Sequence, residues 1–175
     1  MDSISALREQ LAQAHWLLEE TMEGVTPHVF RWKPAGRTES IADNYLHIVV
    51  GEDQIVHTLL QDRTPLFSGD WAGKAGLSSV PAALGSEEWG RWVKSVEVDL
   101  ATFRDYARAV YAATDAYLAS LKAEDLPRPV DLAGFGLGAK TTNWTIYEFV
   151  IGHAANHTGE ISAIKGFQGL TGYPF

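Results

Sequence analysis

Between Trp89 and Leu121 the residues suited to a core fall at Val93, Val96, Leu100, Phe103, Ala107, Val110, Thr114 and Tyr117, in unbroken alternating steps of four and three. Only a helix carries such a series on one face, and the spacing suits packing against neighbours at a shallow angle. Asp99 is a good capping residue within the run, so the spacing predicts a break there and a separate main helix ending near Leu121. Three other stretches repeat the pattern. Ser3 or Ser5 opens a first helix to about Gly24, with Ile4, Leu7, Leu11, Ala14, Leu18 and Met22 on one side. Ser40, with Asp43 three residues on, opens a second to about Leu60, striped by Ile41, Tyr45, Ile48, Ile55 and Leu59. The last starts near Thr142 and carries Ile146, Val150, Ile161 and Ile164. With no convincing strand and no repeat, the expected fold is all-α: an up-down four-helix bundle with long connecting loops, forming a single domain over residues 1–175.

The connectors are rich in Pro and Gly. Residues 25–39 read as a loop whose Val29, Phe30 and Trp32 cover one end of the core. Residues 61–85 hold two prolines and four glycines. A loop of that length in a compact domain usually covers something, with Phe67 and Trp71 as candidates for capping a pocket. Residues 122–141 form a third connector; its alternating glycines (GFGLG) follow no strand and precede no GK[ST], so they are no phosphate loop.

An apolar content of 46% and a charged content of 21% fit a globular chain. A formal charge of −8 without a basic cluster argues against nucleic acid as a partner. The N-terminal sequence does not resemble a signal peptide, and no apolar run approaches the ~20 residues of a membrane span. The chain has no cysteine. That excludes disulfides, thiolate metal sites and a thiol nucleophile of its own, and agrees with a cytoplasmic location.

Chemistry then rests on histidine. His153 and His157 stand four residues apart on the last helix, so both imidazoles leave neighbouring turns on one side. Two such rings either grip one divalent cation or are interior histidines satisfied by hydrogen bonds. His47 lies beside Asn44, Gly51 and Gln54, the side that periodicity assigns to solvent. It is either exposed or a ligand turned to an internal polar cavity, and spacing alone favours exposure. Gly51 leaves free volume one turn away, at up to ~1 kcal/mol of helix propensity relative to alanine. His15 borders the first stripe and is either a metal ligand or, as its boundary position favours, a snorkelling residue, and His28 sits in a loop facing solvent. The HExxH arrangement of a metalloprotease is absent, as are the paired ExxH motifs of di-iron bundles.

The segments SIADNYLHIVVGED and HAANHTGEISAIKGFQGLTGYPF resemble the DinB-like (YfiT-related) metal-binding superfamily. That resemblance implies that His47 joins His153 and His157 around one divalent metal, zinc or nickel foremost and iron next. Many members carry Gln where this chain has Glu160, which is therefore either a carboxylate at the metal or a solvated or Lys-paired side chain. Asp43, Asn44, Asn156 and Glu160 are the local acceptors for the outer ring nitrogens. Characterised members use mycothiol or bacillithiol. The resemblance thus implies a metal-dependent enzyme that activates a low-molecular-weight thiol for S-transfer to a small electrophile under the 61–85 loop. Arg31, Lys33, Arg37 or Arg63 would attract an anionic thiol. Two alternatives stay open: a metal-water hydrolase, with Glu160 or Asp43 as base, and a non-enzymatic protein whose metal clamps two helices. Members commonly pair as homodimers. Trp89, Trp92, Tyr106 and Tyr111 exceed what one stripe buries, so either a partner copy or the chain's own loops cover them.

Overall fold

The computed structural model describes residues 2–175 and is mostly helical. The first helix, α1, spans Ser3–Thr21, and its cap is Asp2 rather than Ser3 or Ser5. The Asp2 carboxylate accepts from the Ser5 amide at 2.8 Å, a charged acceptor at the positive end of the helix. The 25–39 connector contains a short helix, α2 (Pro27–Arg31), capped by Thr26 and seating Phe30 in the core. Next comes α3, Ile41–Asp53, opened by the capping box in which Ser40 and Asp43 bond each other's backbone amides. It continues as a π-helical turn, Gln54–Leu59. The expected break in the third helical region is present. α4 covers Glu87–Ser95, and α5 covers Leu100–Ser120 with Asp99 accepting from the amides of Ala101 and Thr102.

The final helical path runs as α6 (Thr142–Ile146), a π-turn (Tyr147–Ile151) and α7 (Gly152–Phe167). One departure from the expected absence of strand is a two-residue antiparallel pair, Pro129–Val130 against Lys140–Thr141, which closes the 122–141 connector.

α1 packs on α5 and α7, and α3 packs on the same two helices. Leu11 and Leu18 from α1, Tyr45 and Ile48 from α3, Phe103 and Val110 from α5, and Ile161 and Ile164 from α7 are buried in one core. Polar pins fix the arrangement. Glu19 on α1 accepts from Tyr45 of α3 at 2.6 Å, Tyr111 of α5 at 2.9 Å and Arg104 of α5 at 3.1 Å. Lys165 on α7 is buried and donates to the carbonyls of Thr21 and Glu23, closing the otherwise unsatisfied end of α1. His15 does not snorkel. It is buried, stacked on Tyr111 with ring centroids 3.9 Å apart, and bonded to the buried Glu52 carboxylate at 2.9 Å.

Residues 61–86 form a strap held at many points. The buried Asp53 accepts from the Leu66 and Phe67 amides and from Tyr106, and pairs with His57 at 2.7 Å. Gln54 bonds Ala82 O and Leu84 N. Trp92 donates to Ser79, and Leu77 bridges to Val98. Phe67 is buried and Trp71 sits edge-on to Tyr106, so both line a small cavity within the strap rather than capping the histidines. Intramolecular cover thus accounts for Trp92 and Tyr106, which are buried, and partly for Trp89 and Tyr111. No helix among the described residues is long and apolar enough to cross a membrane.

Gly76 is where the strap meets the start of α5. Its φ is +72°, and a Cβ there would lie 2.7 Å from Asp99 O and 2.8 Å from Phe103 N. Backbone strain and collision with fixed atoms add, so Gly76→Ala is expected to lower unfolding free energy by about 2–4 kcal/mol in urea titration. A loss below about 0.5 kcal/mol would mean that the strap is not docked on α5.

Candidate metal centre

α3 is buried on nearly every side, which decides the ambiguity of His47. The side carrying Asn44, His47 and Gly51 has too few apolar residues to look like a core face, yet it meets α7. His47 Nε2 and His153 Nε2 lie 2.8 Å apart. The His157 ring centroid stands 4.9 Å from that of His47 and 4.6 Å from that of His153. One nitrogen from each of the three rings falls within 4.8 Å of the others. All three are half-buried.

The π-turn before α7 helps to aim this pair. Ile146, Val150, Ala154 and Thr158 are buried at successive steps of four. An α-helix overshoots a full turn by roughly 40° at each such step, about 120° over three. A π-turn rotates less per residue, so Tyr147–Ile151 takes back part of that drift and keeps both ends of the helical path facing the core. His153 and His157 then emerge beside Ala154 and Thr158, toward α3.

The outer nitrogens test whether the rings suit a cation. His157 Nδ1 lies 2.8 Å from Glu160 Oε2 and 3.0 Å from Asn44 Oδ1, both acceptors in the tautomer that carries the proton there. That choice leaves the Nε2 lone pair free, as in metal-ligating histidines. Of the four expected acceptors these two serve, while Asp43 is engaged in the α3 cap and Asn156 is exposed. Glu160 thus acts as an acceptor for a ring nitrogen, and Lys pairing is not its role. His47 Nδ1 is buried with no partner among the described residues. Burial lowers the pKa of His47 to about 4, with the neighbouring His157 adding to the effect. Burial likewise lowers His153 to about 3, with His47 and His157 contributing. Both are neutral donors at pH 7, the form a metal requires. Three nitrogen donors with no thiolate or carboxylate suit zinc, nickel, iron or copper over calcium or magnesium.

Around the triad, Trp89 sits edge-on to His47, with centroids 5.8 Å apart. A Cβ on Gly51 would lie 3.7 Å from Leu84 and 4.0 Å from His153 Cε1. His15 is bonded to Glu52 and lies outside the cluster, and His28 is exposed. Arg31 is turned toward the carbonyls of Val93 and Val96, and Lys33 pairs with Glu39 at 2.6 Å, so neither is free to attract an anion. The buried Asp53–His57 pair was not anticipated from the sequence, although Asp and His four apart on a helix are spaced to meet.

Residues 10–161 match the model of the DinB superfamily. A crystal structure of a conserved protein from Enterococcus faecalis is similar in fold, with a TM-score of 0.76 and 24% identity over 94% of this chain and 96% of that one. No curated protein matches the sequence.

The lowered histidine pKa values set the acid response of the metal-free protein. Between pH 6.5 and about 4 the unfolded chain takes up protons at His47 and His153 while the folded chain does not. Stability is therefore fully present above 6.5 and falls with pH, by roughly 1.4 kcal/mol per pH unit for each group. His57 works in the opposite sense. Its bond to Asp53 raises its pKa, so its contribution holds below 6.5 and is lost as pH rises through the folded value. Urea titrations from pH 4 to 7 on wild type and a His47→Ala/His153→Ala variant check the first effect, with a flatter profile expected for the variant.

Proposed function

This chain belongs to the DinB superfamily, and on that premise we propose that His47, His153 and His157 hold one divalent metal ion for chemistry on a small thiol. The observation that carries the reading is the convergence of three imidazoles from α3 and α7, two kept neutral by burial and the third oriented by Asn44 and Glu160. Three protein ligands leave a coordination position open, which is the layout of catalytic rather than structural zinc. Zinc or nickel is the first choice and iron the next.

His47, His153 and His157 would hold a divalent ion here, whose charge would lower a thiol's pKa toward neutrality. The chain's own part is to orient and to exclude water. Asn44 and Glu160 fix the His157 tautomer, Trp89 shields His47, and Leu84 on the strap covers the approach beside His153. The chain has no cysteine, so the sulfur must come from a low-molecular-weight thiol. A thiolate so formed would displace a leaving group from a small electrophile, the carbon–sulfur bond forming as the bond to the departing anion (chloride, for an aryl chloride) breaks, with the thiol proton passing to solvent. Arg31 and Lys33 are engaged elsewhere, which favours a thiol that needs no cation from them.

Water activation is the weaker alternative. Its candidate bases are already committed, Asp43 to the α3 cap and Glu160 to His157. A structural metal clamping α3 to α7 fits the same geometry and predicts no turnover. The rest of the reading is one domain over residues 1–175, an up-down four-helix bundle built from α1, α3, α5 and the α6–α7 path, a homodimer, and a cytoplasmic location.

Two experiments decide. Elemental analysis of tag-free protein should give one zinc or nickel per chain in wild type and none in His47→Ala. Asn44→Ala should weaken the metal by about 10- to 100-fold, as the loss of an orienting partner does. Metal-loaded protein should consume a cellular thiol with 1-chloro-2,4-dinitrobenzene, and His153→Ala should not. A protein that holds its metal yet consumes none of glutathione, mycothiol or bacillithiol refutes S-transfer; ester turnover without thiol would establish the hydrolase instead.

A further inference from the structure

Leu84, which approaches the triad at Gly51, also lines a cavity of about 410 Å³ whose other walls are Gln54, Ile55, Thr58 and Leu59 at the end of α3, Asp62 and Ala83 of the strap, and Phe135 of the 122–141 connector. That volume is in the range of small-molecule sites. Its walls are mainly apolar. The Gln54 amide is consumed by Ala82 and Leu84, which leaves the Thr58 hydroxyl and the Asp62 carboxylate as the polar groups, and no cation among the lining residues. Phe135 is held in place by Phe149, with centroids 5.1 Å apart, and stays 36% exposed while lining the cavity.

Leu84 joins this cavity to the metal centre. It lines the cavity, and it lies within 4 Å of the same point at Gly51 that His153 Cε1 approaches. Gly51 sits inside α3 with no positive φ, and a Cβ there would meet only ordinary contacts, so the backbone does not require glycine. What glycine leaves is a methyl-sized gap between Leu84 and His153.

We propose that this cavity binds the apolar body of the substrate, a neutral or cationic molecule bearing an aromatic or branched aliphatic group, and that the gap over Gly51 lets its reactive end reach the triad. The second half rests on the metal-site reading above; the first does not. Anionic substrates are disfavoured by Asp62 and by the lack of a cation. The bulk of the apolar group is limited by Phe135 and Leu59.

The test uses the full chain with N-phenyl-1-naphthylamine as a neutral fluorescent probe and 8-anilinonaphthalene-1-sulfonate as its anionic counterpart. The neutral probe should bind at least about tenfold more tightly than the anionic one, and Thr58→Trp and Phe135→Ala should each weaken it by about fivefold or more with metal content unchanged. Thr58 is exposed, so filling the cavity from that side leaves the core alone. His47→Ala should remove the metal and leave probe affinity as it was, which separates a failure of the metal reading from a failure of the cavity. Probe affinity indifferent to both cavity variants overturns the site. For the gap, cobalt-loaded Gly51→Ala should melt about 2–4 °C higher than wild type. Its affinity for 2-phenylethanethiol, read from the sulfur-to-cobalt charge-transfer band, should fall about tenfold while that for 2-mercaptoethanol holds. Equal affinities in wild type and variant overturn the role of Gly51.

Discussion

Two imidazoles pressed together where water is scarce set the terms for the α3–α7 interface. His47 and His153 face each other through Nε2 atoms 2.8 Å apart, so only one of the two can donate. His47 Nδ1 has no hydrogen-bond partner among the described residues. A buried polar group without a partner costs about 1–3 kcal/mol, and the cost rises with distance from solvent. Apolar side chains here would pack without that penalty. The three imidazoles are so placed that they could hold a metal ion, which accepts several nitrogen lone pairs at once in a way that hydrogen bonding cannot.

The surrounding structure keeps those rings in register. Both histidine-bearing helical paths contain a π-turn, one after α3 and one before α7. Each changes the rotational phase of the chain close to the site, a common use of such turns near functional groups. The strap then ties the end of α3 to α5 through Asp53 and Tyr106, and to its own far end through Gln54. Little regular structure is present in residues 61–86, and rigidity comes instead from side chains that satisfy the strap's backbone groups.

The all-α class was legible because the stripe from Val93 to Leu121 admits no other period, and the break at Asp99 because a carboxylate there has two amides to satisfy. The α3 start was legible for the same reason. The first cap was misplaced by one residue or three because Asp2, Ser3 and Ser5 compete and only the first presents a charged acceptor. The exposure of His47 could not be settled by periodicity, since α3 buries its polar side as well as its apolar one. His15 was misjudged because its partner, Glu52, lies 37 positions away, and each looks like a surface residue until the other is in place. Asp53 and His57 were invisible for a related reason: their partners include backbone amides of an irregular loop.

The spacing of the triad along the chain also bears on how the molecule reaches its native state. His47 and His153 are separated by 106 positions, so the order in which the chain collapses keeps them apart until α3 and α7 have docked. Closing so long a loop is slow and costly in chain entropy, and helices with local contacts form sooner. An ion held by the three rings would recognise only the assembled ligands, so it would deepen the finished basin by mass action and slow escape from it. It would not help the chain find that basin.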